Sequence, residues 1–370
     1  MKKILLFTTL SIGLLFANSN KSYPNTEFSS EIFLDAATTG SSSSAEIRRA
    51  RVKLDGDIIK DLSYELEYSL TNGGEFKDLY IRYNIDQINS SIKIGNIKEP
   101  FSLEDLSGAK YHTFMERSLL KIFKPDRKVG VSLNYHNKYD KDNAFTFSTG
   151  AFSQSINNYN SNKNRYSIAS RATYAKLIDK SQYFFHIGSS FEYSKLDSSK
   201  IKLSARPESH MASKYLKEKI KNVDSDLKIG VETIYQYYND RFQAEMIFDT
   251  IKTDLGKEYK IDGWYMEFSH LFGESYKSYK VKKATVSKIK NIQKFDFKKS
   301  YGTFEGAFRV SNLNIDDLKT LDKNFLNYTI GLNWYPNKDA RVMANYIITD
   351  FNSDRADSKN ILQLRVQYEF

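Results

Sequence analysis

The chain contains no cysteine in its 370 residues. Disulfide staples, thiolate metal centres and a lipid-modified cysteine behind a leader are therefore excluded. An exported protein of this size must then take its stability from a large core or from a closed hydrogen-bonded architecture. Long apolar runs are also missing, and the mean hydropathy is −0.55. The one exception, "ILLFTTLSIGLLFA" from Ile4 to Ala17, follows Lys2 and Lys3 and is too short to span a bilayer as a helix. Its charge order is that of a secretory signal, with cleavage expected after Ala17 or Ser19. Residues 1–19 are thus expected to be a cleaved signal peptide and residues 20–370 a single domain, with no tandem repeat or coiled-coil arm.

Histidine is scarce. His112, His136, His186, His210 and His270 are scattered, with no pair at metal-ligand spacing and no motif that names a nucleophile. An outer-membrane protease or lipase would need such a triad pattern, so an enzyme is not expected, nor is a metal or other cofactor.

Aromatics and alternation are what the chain has in quantity. Tyrosine and phenylalanine supply 26 and 25 residues, more than a polar soluble protein needs for its core. Spread evenly among charges, they fit the interface girdles of a membrane barrel. The C-terminal "ILQLRVQYEF" has a strict period of two. Leu362, Leu364, Val366, Tyr368 and Phe370 share one face, and Gln363, Arg365, Gln367 and Glu369 the other. It looks like the closing strand of a bacterial outer-membrane barrel, where the assembly machinery recognises the terminal aromatic. The same alternation recurs at Leu62–Leu70, Val129–Tyr135, Phe242–Phe248, Tyr328–Trp334 and Val342–Ile348. The turn "YPNKDA" joins the last two. About sixteen such segments can be counted, an even number that puts both termini on the periplasmic side. The fold class expected is all-β: a transmembrane antiparallel β-barrel whose polar inner face lines a water-filled channel.

Between "KIGNIKEP" and "RKVGVSLNYH" the period disappears for about two dozen residues, an insert long enough to fold inward and narrow the lumen. Leu196–Leu227 and Gly273–Lys299, both lysine-rich, read as the next longest loops.

Parity assigns the charges. In "EIRRARVKLDGDI" Ala50, Val52, Leu54 and Ile58 are even, so Arg49, Arg51 and Lys53 point inward in a row. The same test turns Arg82, Arg165, Arg171, Arg241, Arg341 and Arg365 inward, diluted by Glu65, Glu67, Asp78, Glu245 and Glu369. In the insert, Lys110, Arg117, Lys121, Lys124, Arg127 and Lys128 outnumber Glu104, Asp105, Glu116 and Asp126. A formal charge of +10, or +8 without Lys2 and Lys3, and cations in a low-dielectric pore favour anions. Basic residues facing a lumen do not form a nucleic-acid groove.

The segments "RRARVKLDGDIIKDLSYELEYSL", "KDLYIRYN", "IKIGNIKEPFSLEDLSGAKYHTFMERSL", "ARPES", "FGESYKSYK", "FEGAFRVSNLNI" and "YTIGLNWYPNKDARVMANYI" resemble, in order and spacing, the phosphate-selective porins O and P. The resemblance implies a sixteen-stranded outer-membrane barrel, usually a homotrimer, whose third extracellular loop enters the lumen. It implies arginines and lysines that bind small anions there, phosphate or polyphosphate in the best-known members. Carried onto this sequence, the paired arginines are Arg48 and Arg49, the loop lysine is Lys110, and the acid heading "KDLYIRYN" is Asp78. Parity alone turns Arg48 outward, so its place in the site requires a bulge or a strand end. Ser63 stands where some phosphate-binding relatives carry a basic residue. Phosphate, polyphosphate and chloride are the expected partners, and a weakly selective general porin is the alternative.

Overall fold

The structure, a computed structural model, describes residues 22–40, 42–138, 142–158, 164–179, 182–315, 324–350 and 360–370. The signal segment expected at residues 1–19 lies outside them. The strands are β1 Glu27–Thr39, β2 Ser42–Ile59, β3 Leu62–Ser69, β4 Glu75–Ile85, β5 Ser90–Ile97, β6 Lys128–Lys138, β7 Asn143–Phe152, β8 Tyr166–Ile178 and β9 Tyr183–Ala205. They continue as β10 Leu216–Tyr237, β11 Asp240–Thr253, β12 Glu258–Leu271, β13 Tyr276–Lys280, β14 Thr285–Lys290, β15 Thr303–Asn314, β16 Asn324–Tyr335, β17 Ala340–Asp350 and β18 Asn360–Glu369.

Sixteen of them form a closed antiparallel barrel in which each strand pairs with its chain neighbours. β13 and β14 make a separate hairpin, so β12 pairs with β15. Closure removes the sheet edges that lipid could not hydrogen-bond. It runs through β1 and β18, from Glu31 opposite Glu369 to Thr39 opposite Ile361. The amide and carbonyl of Ser30 extend the seam to Phe370 at 2.7 and 3.1 Å. The predicted outward row of β18 is exposed from Leu362 to Phe370, and of its polar row Gln363, Arg365 and Gln367 are buried inside while Glu369 is half-buried. In the expected "YPNKDA" turn, Asn337 Oδ1 accepts from the amides of Asp339 and Ala340 at 2.8 and 2.9 Å.

The start of β1 and the end of β18 lie at one rim, here the terminal rim. The insert joins β5 to β6 at the opposite, distal rim, third in the series of distal connections. Two expected loops differ from their reading. Leu196–Leu227 is mostly strand, because β9 and β10 run for 23 and 22 residues and leave only 206–215 between them. Gly273–Lys299 belongs to the terminal rim and contains the β13/β14 hairpin.

The inner wall also departs from the polar lining expected. Ile247, Ile251, Ile261, Tyr265, Leu313 and Phe325 point inward from β11, β12, β15 and β16 and are fully buried. What covers them is the insert, which presents Phe101, Leu119, Leu120 and Phe123. A second apolar patch, with Ala144, Ala175, Phe184 and Ile234, receives Tyr279, Ala284 and Val286 of the hairpin and Leu103 of the insert. The lumen is therefore packed on one side like a domain core.

Candidate functional site

The third distal loop, residues 98–127, carries a one-turn helix, α1 Leu103–Leu106, and two 3₁₀ turns, Ala109–Tyr111 and Leu119–Phe123. Apolar burial holds one face and the barrel wall grips the rest. Glu245 on β11 accepts the amides of Leu103 and Glu104 at 3.0 and 3.1 Å, so the wall caps α1. Asn345 receives the Met115 amide at 2.8 Å, and Arg341 donates to the carbonyls of His112 and Thr113 at 2.6 and 2.9 Å. Phe123→Ala is expected to cost about 3–5 kcal/mol and to raise single-channel conductance by loosening the loop. Denaturant unfolding and bilayer recording check the two effects.

Arg48, Arg49, Arg51, Lys53, Lys110 and Arg117 each have a carboxylate within 4.0 Å, whereas Arg82 donates to the Ser63 hydroxyl at 3.0 Å. A register shift between β1 and β2 pairs Phe33 with Arg49 and Leu34 with Ile47. Arg48 is the extra residue of that bulge, and both arginines of the pair turn inward, which corrects the outward parity of Arg48. Arg48 donates to Glu116 of the loop through Nε at 2.6 Å and Nη2 at 2.9 Å. Arg49 donates to Glu31 at 2.8 Å and lies 4.8 Å from the Phe33 ring centroid, with Arg365 at 5.0 Å from the same ring. Arg51 meets Glu67 at 2.5 Å, and Lys53 meets Asp55 at 2.8 Å. Lys110 meets Glu369 at 2.8 Å, and that pairing raises its pKa although burial alone would lower it.

Asp78 is not beside the arginine pair. It accepts from Arg127 at 2.6 Å and approaches Glu65 and Glu67 within 4.8 Å. These three carboxylates are matched by Arg127, Lys53 and Arg51.

Arg117 belongs to a second centre on the loop. Asp105, deeply buried, has Arg117 at 3.3 Å, the Lys98 ammonium at 3.7 Å and Lys124 at 4.0 Å. Burial alone would raise the Asp105 pKa, but these cations hold it well below the usual carboxylate range. One anion among three cations leaves a net positive site. At Glu116 the cations are Arg48, Lys121 at 3.0 Å and Arg365 at 3.2 Å, and Arg365 also pairs with Asp35. Burial, and then the charges of Arg117 and Lys98, keep His112 neutral far below its ordinary pKa.

Burial pushes the Lys98 ammonium down to about 7 and the Glu104 carboxyl up to about 7. Raising the pH through that point removes a cation and creates an anion in the same loop. Chloride selectivity is expected to fall between about pH 6 and about pH 8, read as a shift of the zero-current potential. Lys98→Arg, which stays protonated, should remove part of that shift.

Two participants escaped the parity reading. Arg309 on β15 donates to Glu208 at 2.5 Å and to the Glu116 carbonyl at 3.1 Å, and lies 4.4 Å from the Phe114 centroid. The alternation Phe304, Phe308, Val310 carries the signal that would have placed it inward. Glu208, in "ARPES", accepts from Thr329 at 2.8 Å and from Ser311, so the 206–215 connection also crosses the lumen. Its His210 reaches Glu46 on β2 at 2.7 Å.

The β13/β14 hairpin enters from the terminal rim. Arg171 donates to the carbonyls of Lys283 and Ala284 at 3.3 and 2.8 Å, and Lys277 reaches Thr113 at 2.8 Å and Glu305 at 2.7 Å. Loop and hairpin thus meet inside the barrel. Burial and the nearby ammonium groups of Lys283, Lys53 and Lys110 hold the Lys280 pKa below its ordinary value.

A closed sixteen-stranded barrel that an inward loop partly fills is the architecture of a pore. The family model described as phosphate-selective porin O and P matches residues 30–370. This chain belongs to that family. It is an outer-membrane channel protein, and the family is one of pores rather than enzymes. Porin O of Pseudomonas aeruginosa is 22% identical over 373 residues, covering 88% of this chain and 82% of its own. An uncharacterised protein of Caulobacter vibrioides is 22% identical over 353 residues, covering 88% and 68%. Among solved structures, an anion-selective porin from Comamonas acidovorans superposes with a TM-score of 0.60 at 10% identity, covering 94% of this chain and 99% of its own. The trimer form of OmpT from Vibrio cholerae gives 0.57 at 11% identity, covering 94% and 99%. At these identities the structural likeness concerns the fold.

Proposed function

We propose that this porin passes small anions, with phosphate or polyphosphate preferred over chloride, and that Arg48, Arg49, Arg51, Lys53, Lys110 and Arg117 line the selective stretch. The observation that carries the reading is the cation excess on the third loop, where Asp105 is surrounded by Lys98, Arg117 and Lys124. An entering anion meets the lysines of the hairpin and of β2, exchanges part of its hydration shell for guanidinium donors, and leaves because carboxylates compete for the same donors. Glu31, Glu67 and Glu116 are those competitors, and Asp78 sets the position of Arg127. Guanidinium suits the task because its planar paired donors match phosphate oxygens.

A general, weakly selective porin is the second reading. The close carboxylate on every predicted ladder cation favours it. Adding inorganic phosphate to a single channel conducting chloride separates the two. Block at low phosphate supports the selective pore, and an unchanged chloride current leaves the general one.

By analogy with the trimeric form of the Vibrio cholerae neighbour, the barrel assembles as a homotrimer. Phe370, at the end of the closing strand, is the contact for the barrel-assembly machinery. Cross-linking in native membranes tests the first statement, and the folded yield of a Phe370 deletion the second.

A further inference from the structure

The 272–302 connection divides in two. Its first part enters the lumen as the hairpin, but its second part crosses the terminal rim and lies on the outside of the barrel. Trp334 ends the outward row of β16 that includes Tyr328, Ile330 and Leu332, and Phe304 begins the outward row of β15. The tongue is clamped to this row. Trp334 Nε1 donates to the Tyr301 carbonyl at 2.7 Å, and the Phe295 amide donates to the Pro336 carbonyl at 2.7 Å. Phe295 stands edge-on to Trp334 at 5.4 Å, and Phe304 stacks on it at 6.4 Å. A bridge between Asp296 and Ser300 closes the turn that carries Phe297.

Held this way, Phe297 is 93% exposed and Tyr301 82% exposed. Lys294 and Lys338 line the groove beneath with Phe295 and Pro336, and Lys298 and Lys299 follow Phe297 in the turn. The two local acids, Asp296 and Asp339, leave the four lysines in excess, and Asp339 reaches Lys338 only at 4.0 Å. The surface continues the lipid-facing wall, so its aromatics fall where rings favour the boundary of acyl chains and headgroups. Lysines at that depth extend toward phosphate with their stems against the apolar layer. A protein partner would have to displace lipid from the same wall, whereas the boundary layer of an outer membrane supplies headgroups at that depth.

We propose that residues 294–301, with Trp334 and Lys338, bind an anionic phospholipid headgroup at the terminal rim. Phe297 and Tyr301 enter the boundary layer, and Lys294, Lys298, Lys299 and Lys338 hold the phosphate. This anchor fixes the root of the hairpin that enters the pore.

The test uses the fact that the chain has two tryptophans. Trp264→Phe leaves Trp334 as the sole reporter. The full-length barrel is folded into vesicles of equal parts phosphatidylglycerol and phosphatidylcholine, with bromine carried on one lipid or on the other. Quenching of Trp334 by brominated phosphatidylglycerol is expected to exceed that by brominated phosphatidylcholine about twofold. Substituting Lys294, Lys298 and Lys299 together by glutamine should abolish the difference in protein that retains the gel mobility of a folded barrel, and free phosphate should leave it unchanged. Equal quenching by the two lipids overturns the proposal, as does a preference that survives the triple substitution. Loss of the preference on adding free phosphate also overturns it, by assigning the lysines to a soluble anion.

Discussion

Glu116→Gln is expected to destabilise the barrel and to raise its anion preference together. Its carboxylate accepts from Arg48 twice, from Lys121 at 3.0 Å and from Arg365 at 3.2 Å, on a loop segment buried against the wall. Removing one partner of a buried pair leaves the other charge uncompensated, at a cost of about 3–5 kcal/mol. Arg365 keeps Asp35, whose two oxygens it meets at 2.7 Å, so the cost falls mainly on Arg48. The freed guanidinium then faces the lumen without its carboxylate. Denaturant unfolding reads the first effect and the zero-current potential the second. Lost stability with unchanged selectivity would mean that Glu116 is a structural latch remote from the ion path.

The second large effect is expected from replacing Arg48 and Arg49 together by glutamine. Charge-assisted hydrogen bonds to a phosphate contribute about 1.5–3 kcal/mol each, so phosphate block of the chloride current should weaken at least about tenfold. Arg48→Lys provides the sharper comparison. It keeps the charge but loses the paired donors that now grip Glu116, so anion preference should persist while phosphate block weakens. Block unchanged in the double substitution would remove both residues from the permeation path.

The barrel was legible because lipid demands an apolar residue at every second position of a spanning strand, and Leu362 to Phe370 or Tyr328 to Trp334 obey that demand. The period fails where the demand ends. In 196–227 the long strands β9 and β10 turn Lys200, Lys202, Lys217, Lys219 and Lys221 outward and Leu203, Leu216 and Ile220 inward, the reverse of a lipid-facing strand, so the segment reads as loop. Arg48 could not be oriented because a bulge adds one residue and reverses parity locally. The docking patch of Ile247, Ile251 and Ile261 was hidden for a related reason: apolar residues on both faces of β11 and β12 do not announce which face meets a loop. Arg309, by contrast, was readable from its neighbours. Glu208 was not, since a single acid in a short connection gives no sign of which wall it will reach. The hairpin's entry into the lumen depends on long-range partners such as Arg171 and Glu305, which no local pattern encodes.

The central claim is that cation excess on the inward loop makes this family member a pore for anions. It is tested most directly by the zero-current potential of the purified protein in a planar bilayer under a potassium chloride gradient at neutral pH. A potential of the sign set by chloride is predicted, collapsing toward zero when Lys98, Arg117 and Lys124 are replaced by glutamine. A potential of the sign set by potassium in the unaltered protein would contradict the account, whatever the barrel's stability.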